Sequence, residues 1–234
     1  MLYAFRSLPT LAVLTALALI AVGAGLAETV PDGGEPDASW RMASRKSQDG
    51  LEWAVYEEAV KTPGRPAFRI ETSFQVPPVV AALTLMEEMS EPGGMGSGET
   101  RRLIERSDRE ALVHTYIDLP FMFSDRELAV RIRHSDDLLN GIHRIDWVDE
   151  NDALPPVGKG VLRLSTRGYW EFRPLGEAYT SATYVSRAEV GGSLPAALSD
   201  RLLQGQALDA VRRLQSLLVE RERMHVAAPP PALE

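Results

Sequence analysis

Cysteine is absent from this chain of 234 residues. With it go disulfides, a thiol nucleophile, thiolate-bound zinc and the acylated cysteine of a bacterial lipoprotein. Histidine is scarce as well. The four, His114, His134, His143 and His225, never fall in a His-x-x-x-His spacing, so no metal site is expected. Clustered positive charge is missing too: 33 acidic residues face 25 basic ones, for a formal charge of −8. No Lys/Arg run exceeds the pairs Arg45-Lys46, Arg101-Arg102 and Arg212-Arg213. Nucleic-acid binding rests on neutralised phosphates, and standing attachment to anionic lipid on basic clusters, so neither is expected.

Catalytic motifs are lacking in the same way. The glycine-rich stretch 93–98 has no Lys-Ser/Thr after it to cradle a phosphate, and no serine sits in a nucleophile elbow. Glu87-Glu88 and Asp136-Asp137 are sequence neighbours, a placement that usually points carboxylates at solvent. No nucleophile, base and oxyanion donor can be assembled, so neither an enzyme nor a cofactor is expected.

What is present begins at the N-terminus. A short positive start ending at Arg6 precedes an apolar run over 8–22, then Gly25-Leu26-Ala27 places small residues ahead of Glu28. This is the three-part pattern of a secretory signal peptide, residues 1–27, and predicts an exported, periplasmic or secreted protein. The stretch 8–27 also approaches the ~20 residues that span a bilayer. Cleavage is favoured over an anchor because small residues end the run and no Lys/Arg stop follows it. Residues 28–39, with Pro31, Gly33, Gly34 and Pro36, read as a linker, and 225–234, with Pro229-Pro230-Pro231, as a disordered tail.

Between these ends the apolar pattern alternates between the two periods. Strands are predicted at 40–47, 51–60, 68–76, 101–106, 111–119, 126–134, 142–149, 160–166, 169–173 and 179–190. Pro77-Pro78 opens a helix to about Met89, with Val79, Val80, Leu83 and Met86 as its apolar set. A second, long helix from about Pro195 to Met224 carries the stripe Leu198, Leu202, Leu208, Val211, Leu214 and Leu218. Hydrophobic residues at 44% and charged ones at 25% suit one packed domain. Fold class α+β follows: a curved antiparallel sheet wrapped around the last helix, with an interior that suits a ligand.

Specific residues sharpen this reading. Tyr116-Ile-Asp-Leu-Pro-Phe-Met-Phe-Ser-Asp-Arg-Glu127 resembles the strand-loop-strand signature of START (steroidogenic acute regulatory-related lipid transfer) domains. Gly168-Tyr-Trp-Glu-Phe-Arg-Pro174 resembles a later strand of that family. Thr183-Tyr184 with Gly191-Gly192-Ser193-Leu194-Pro195 resembles its handover to the C-terminal helix, and Trp40, Asp49-Gly50 and Val55-Tyr56 fit its first hairpin. The likeness covers 40–224. It departs after the first helix, where the family usually has a second helical piece with a Trp and this chain has the short glycine loop.

The resemblance implies a helix-grip fold and one apolar lipid ligand held in an internal cavity, with transient membrane contact and a monomeric carrier. Inward residues Val130, Ile132, Trp147, Leu162, Leu164 and Trp170, with Leu198 and Leu202 of the last helix, are the expected lining. Tyr116 and Tyr184, with His114 and Thr183, are candidates to orient a ligand's polar end. Phe121, Met122 and Phe123 lie on a hairpin connection and are expected to gate the cavity from a bilayer, since buried apolar side chains contribute on the order of 1.5–3 kcal/mol each. Some sterol-binding relatives use a buried acid–arginine pair. Here the corresponding place falls on Ile132, between outward Arg131 and Arg133, so sterol is not favoured over phospholipid. The wider superfamily also contains cyclases and aromatases, a role that would need His114, Tyr116 or an Asp inside the cavity. A fully packed interior would instead suit an interaction protein without a ligand.

Overall fold

Period-two alternation of apolar residues accounts for most of the structure. The computed structural model describes residues 39–48, 50–60, 65–93, 99–119, 124–189, 192 and 196–227, with helix side chains of the last element from 203 to 224. The leader, nearly all of the 28–39 linker and the Phe121-Met122-Phe123 loop lie outside them, as do the side chains of Leu198 and Leu202. The elements are β1 (Trp40–Gln48), β2 (Leu51–Glu58), β3 (Ala67–Phe74), α1 (Pro78–Ser90), β4 (Glu99–Arg106), β5 (Glu110–Ile117) and β6 (Asp125–Asp137). They continue with β7 (Ile142–Asp149), β8 (Val161–Arg163), β9 (Ser165–Pro174), β10 (Thr180–Glu189) and α2 (Ala196–Ala227).

One sheet holds all the strands, in the order β1-β2-β3-β10-β9-β7-β6-β5-β4. The last strand therefore inserts beside β3, and the two hairpin-built halves meet along β10. The sequence predicts one strand over 160–166, whereas the chain makes two. β7 covers only the C-terminal part of β6, from Val130 onward, and β8 takes the vacated edge at Asp125–Glu127 in parallel. Asn151 then causes the break, since its Nδ2 donates to the Leu164 carbonyl at 2.7 Å. From Ser165 the chain pairs instead with β10, and from Arg167 with β7 as well.

The concave face carries the core. Leu128, Val130 and Ile132 of β6 are buried there, as are Ile145 and Trp147 of β7 and Trp170 and Phe172 of β9. Arginines take the other face, as the alternation requires. Arg131 bridges Glu105 at 2.7 Å and Glu150 at 2.6 Å, while the more exposed Arg133 pairs with Glu110 at 3.0 Å.

α1 begins on Pro78, where a missing N–H costs nothing, and lies across β6, β7 and β9. Its phase corrects half of the predicted apolar set: Met86 and Val80 pack on the core, while Val79 and Leu83 do not. Ala81, Ala82, Leu85 and Met86 are buried, while Val79 and Leu83 are more than 40% exposed. Two apolar stripes compete on this helix, and the one with two alanines packs closest to the aromatic sheet. α2 lies over β3, β10 and α1, burying Leu203, Ala207, Val211, Leu214 and Leu218 while Leu208 is half-buried. It runs to Ala227, three residues past the predicted end, because no breaker precedes Pro229. No helix among the described residues is long and apolar enough to cross a membrane.

Candidate functional site

The concave face meets both helices at an aromatic cluster. Trp147, Trp170 and Tyr184 stand on the neighbouring strands β7, β9 and β10, in register through the pairs Ile145↔Trp170 and Tyr184↔Trp170. The Tyr184 ring lies 5.0 Å from Trp170 edge-on and 5.5 Å from Trp147. Gly168, opposite Trp147, makes room for this arrangement. A Cβ there would fall 2.0 Å from the Val185 carbonyl oxygen and 2.8 Å from the Trp147 ring.

These three aromatics floor a pocket walled by Leu85, Glu88 and Met89 of α1 and roofed by Ala210, Arg213, Leu214 and Leu217 of α2. The pocket is partly open to solvent and has a volume of about 30 Å³. That is room for about one water, well short of the ~300–1,000 Å³ of a small-molecule site. Among the described residues, large rings of adjacent strands stack across the floor of this pocket and take up most of its space.

Two of the lining aromatics carry buried polar groups. The Trp147 indole N–H is buried and meets no acceptor among the described residues. The Tyr184 phenol is buried too, and burial pushes its pKa up to about 12, partly offset by the Ser186 hydroxyl beside it. It therefore keeps its proton at neutral pH. At the solvent side, Arg213 Nε meets Glu88 Oε1 at 3.2 Å, tying α2 to α1. Arg221 repeats the tie to Glu87 at 3.1 Å. Arg212 stacks over Trp53 of β2, 5.3 Å from the ring centre, and holds α2 across the sheet.

Of the residues predicted to line a cavity, Trp147, Trp170 and Tyr184 line this pocket. Val130, Ile132 and Leu164 are in the packed core beside it, and Leu162 is half-buried on β8. Tyr116 is elsewhere. It shares the convex face with His114, and its hydroxyl donates to Asp125 Oδ2 at 2.6 Å, which with burial and the carboxylate charge drives its pKa up to about 12. His114 Nε2 sits 3.2 Å from Glu127 Oε2 on the same face, and Thr183 alternates outward from Ala182 and Tyr184. Parity decides these positions: Thr115 and Ile117 face in, so their neighbours cannot.

Two constellations escaped the sequence reading. Glu99 and Arg101 of β4 form a buried acid–arginine pair, Nε to Oε1 at 3.0 Å, with side chains 0% and 6% exposed. Arg101 also donates to the Glu88 carbonyl, fastening the end of α1. Burial raises the Glu99 carboxyl above its ordinary range against the pull of Arg101. Their Glu-x-Arg spacing is the only signal, and it says nothing of burial. The second is His134, Asp136 and His143 on the β6–β7 hairpin, whose ligand-capable atoms lie within 4.8 Å of one another. Burial lowers both imidazoles below their ordinary value.

No protein-family model matches the chain, and no curated protein does. Solved structures do. A STAR-related lipid transfer protein from Xanthomonas axonopodis is 22% identical with a TM-score of 0.59, covering 77% of this chain and 98% of that one. Human StAR-related lipid transfer protein 5 is 17% identical with a TM-score of 0.61, covering 80% and 89%. Human STARD10 is 15% identical with a TM-score of 0.62, covering 90% and 88%. At these identities the likeness is one of fold. The chain has the START-like helix-grip fold, a curved antiparallel sheet closed over by a long C-terminal helix.

Proposed function

We propose that this chain is an exported lipid carrier that shields one apolar ligand from water between α1, α2 and the concave face. The observation that carries this reading is the pocket itself, lined mostly by apolar and aromatic side chains where the sheet meets both helices. Fold likeness to proteins whose names describe lipid transfer supports it. Burial of apolar surface is the driving force, about 25 cal/mol per Å². The ligand carries an acceptor oxygen, a carbonyl, ester or hydroxyl, because a buried donor left unmatched costs about 1–3 kcal/mol. His114 and Tyr116, two of the groups a cyclase-type reading could place inside alongside an Asp, face the other way, which supports carriage over turnover.

A space of about 30 Å³ admits no acyl chain, so loading requires α2 to lift from α1. The Phe121-Met122-Phe123 loop makes the transient bilayer contact in this reading, and residues 1–27 direct export. The Glu88–Arg213 pair then acts as a latch. Arg213 is about half exposed, so the pair contributes only ~0.2–1 kcal/mol. Arg213→Ala is expected to speed lipid transfer between vesicles about two- to five-fold with little change in thermal midpoint. A slower rate would place the opening motion elsewhere.

Carriage itself is tested by purifying the chain natively and extracting it for lipid mass spectrometry. One oxygen-bearing lipid class at near one-to-one ratio, on a chain whose mass starts at Glu28, is the expected result. An empty protein that takes up nothing from vesicles would overturn it.

A further inference from the structure

The β6–β7 hairpin carries a group of side chains that the lipid site does not use. Asp136 stands directly across the ladder from His143, and His134 stands two residue pairs farther in, opposite Ile145. Alternation puts all three on the face of Ile132 and Ile145. The connection is rigid: Asp137 accepts from the Leu139 and Asn140 backbone N–H groups and from Asn140 Nδ2, and Gly141 takes the positive φ of 65° that the tight turn demands. The imidazoles lie 5.4 Å apart, nearly stacked, with His134 Nε2 3.2 Å from His143 Nδ1.

That last distance is informative. Two nitrogens bound to one tetrahedral zinc at ~2.0–2.1 Å stand about 3.3 Å apart. In this structure the contact is a hydrogen bond between the rings; a cation would replace it with the nitrogens already near that separation and an Asp136 carboxylate oxygen within 4.8 Å. One guanidinium competes: Arg109 Nη1 holds Asp136 Oδ2 at 3.0 Å. It comes from the β4–β5 turn, is more than half exposed and is readily displaced.

We infer that His134, Asp136 and His143 form a binding site for a borderline divalent cation of the zinc class, with at least one coordination position left for water or another ligand. Imidazole with one carboxylate suits zinc, nickel, copper or ferrous iron over calcium or magnesium, which prefer oxygen throughout. The inference is independent of lipid binding.

The test uses the full chain without an affinity tag, stripped with chelator and titrated with ZnCl2 by calorimetry and with CoCl2 by visible absorption. One zinc per chain is expected, with cobalt bands of a nitrogen–oxygen site. His143 is a core position, so His134→Asn and Asp136→Asn are the primary variants, each checked for native circular dichroism. Both should weaken zinc binding about tenfold or more. Arg109→Ala should tighten it about two- to five-fold by freeing Asp136, and His114→Ala, on the opposite face, should leave it unchanged. No saturable zinc binding by the folded chain, or binding that His134→Asn and Asp136→Asn leave intact, overturns the inference.

Discussion

Gly168→Ala should lower the thermal midpoint by about 6–12 °C, from a loss of about 3 kcal/mol at about 2–4 °C per kcal/mol for a chain of this size. The cause is steric. The new Cβ would land 2.0 Å from the Val185 carbonyl oxygen, a backbone atom that cannot rotate away, and 2.8 Å from the Trp147 ring. Relief requires β9 and β10 to separate or Trp147 to leave the floor of the pocket. Differential scanning calorimetry reads the first effect, and near-ultraviolet circular dichroism of the tryptophans reads the second. A midpoint within about 2 °C of the parent would mean that the sheet here flexes far more than close-packed interiors do.

Ala210→Phe should abolish most lipid uptake while the fold survives. Ala210 is a half-buried residue on the roof of the pocket, facing the aromatic floor. A phenyl ring there occupies the volume a ligand chain must enter, and its apolar surface satisfies the same lining. Transfer of a fluorescent phospholipid from vesicles is expected to fall about tenfold or more, against an overpacking cost of about 1–3 kcal/mol. Undiminished transfer by a folded variant would move the ligand away from α2 and the three aromatics.

These expectations lean on parts of the molecule that were legible to different degrees. Strand order along the chain and the inward set Leu128, Val130, Ile132, Ile145, Trp147, Trp170 and Phe172 follow from alternation, because a pleated strand leaves no choice of face. The long final helix was equally plain, since Val211, Leu214 and Leu218 recur at its period. The short first helix was equally legible as an element, but not in the face it buries. It is apolar on two sides, and only the sheet beneath it selects Ala82 and Leu85 over Val79 and Leu83.

The site divides the same way. Tyr184, Trp170 and Trp147 were readable as inward residues, while Tyr116, His114 and Thr183 were polar groups of suitable chemistry on strands whose parity turns them outward. Glu99 and Arg101 sit two apart on an edge strand. Nothing in that spacing foretells that both are buried or that Arg101 donates to the Glu88 carbonyl at the end of α1, thirteen residues away.

By itself, then, the sequence determined the alternation of elements, the face each strand buries and the exclusion of cysteine chemistry, because these depend on local period and residue type. Only the tertiary structure decided how little space the aromatics leave, which helix face is covered, and that His134, Asp136 and His143 meet. The first two depend on distances between strands and helices far apart in the chain, and the third on the register in which the β6–β7 hairpin closes. Ladder register and packing set such distances, and no spacing along the sequence encodes them.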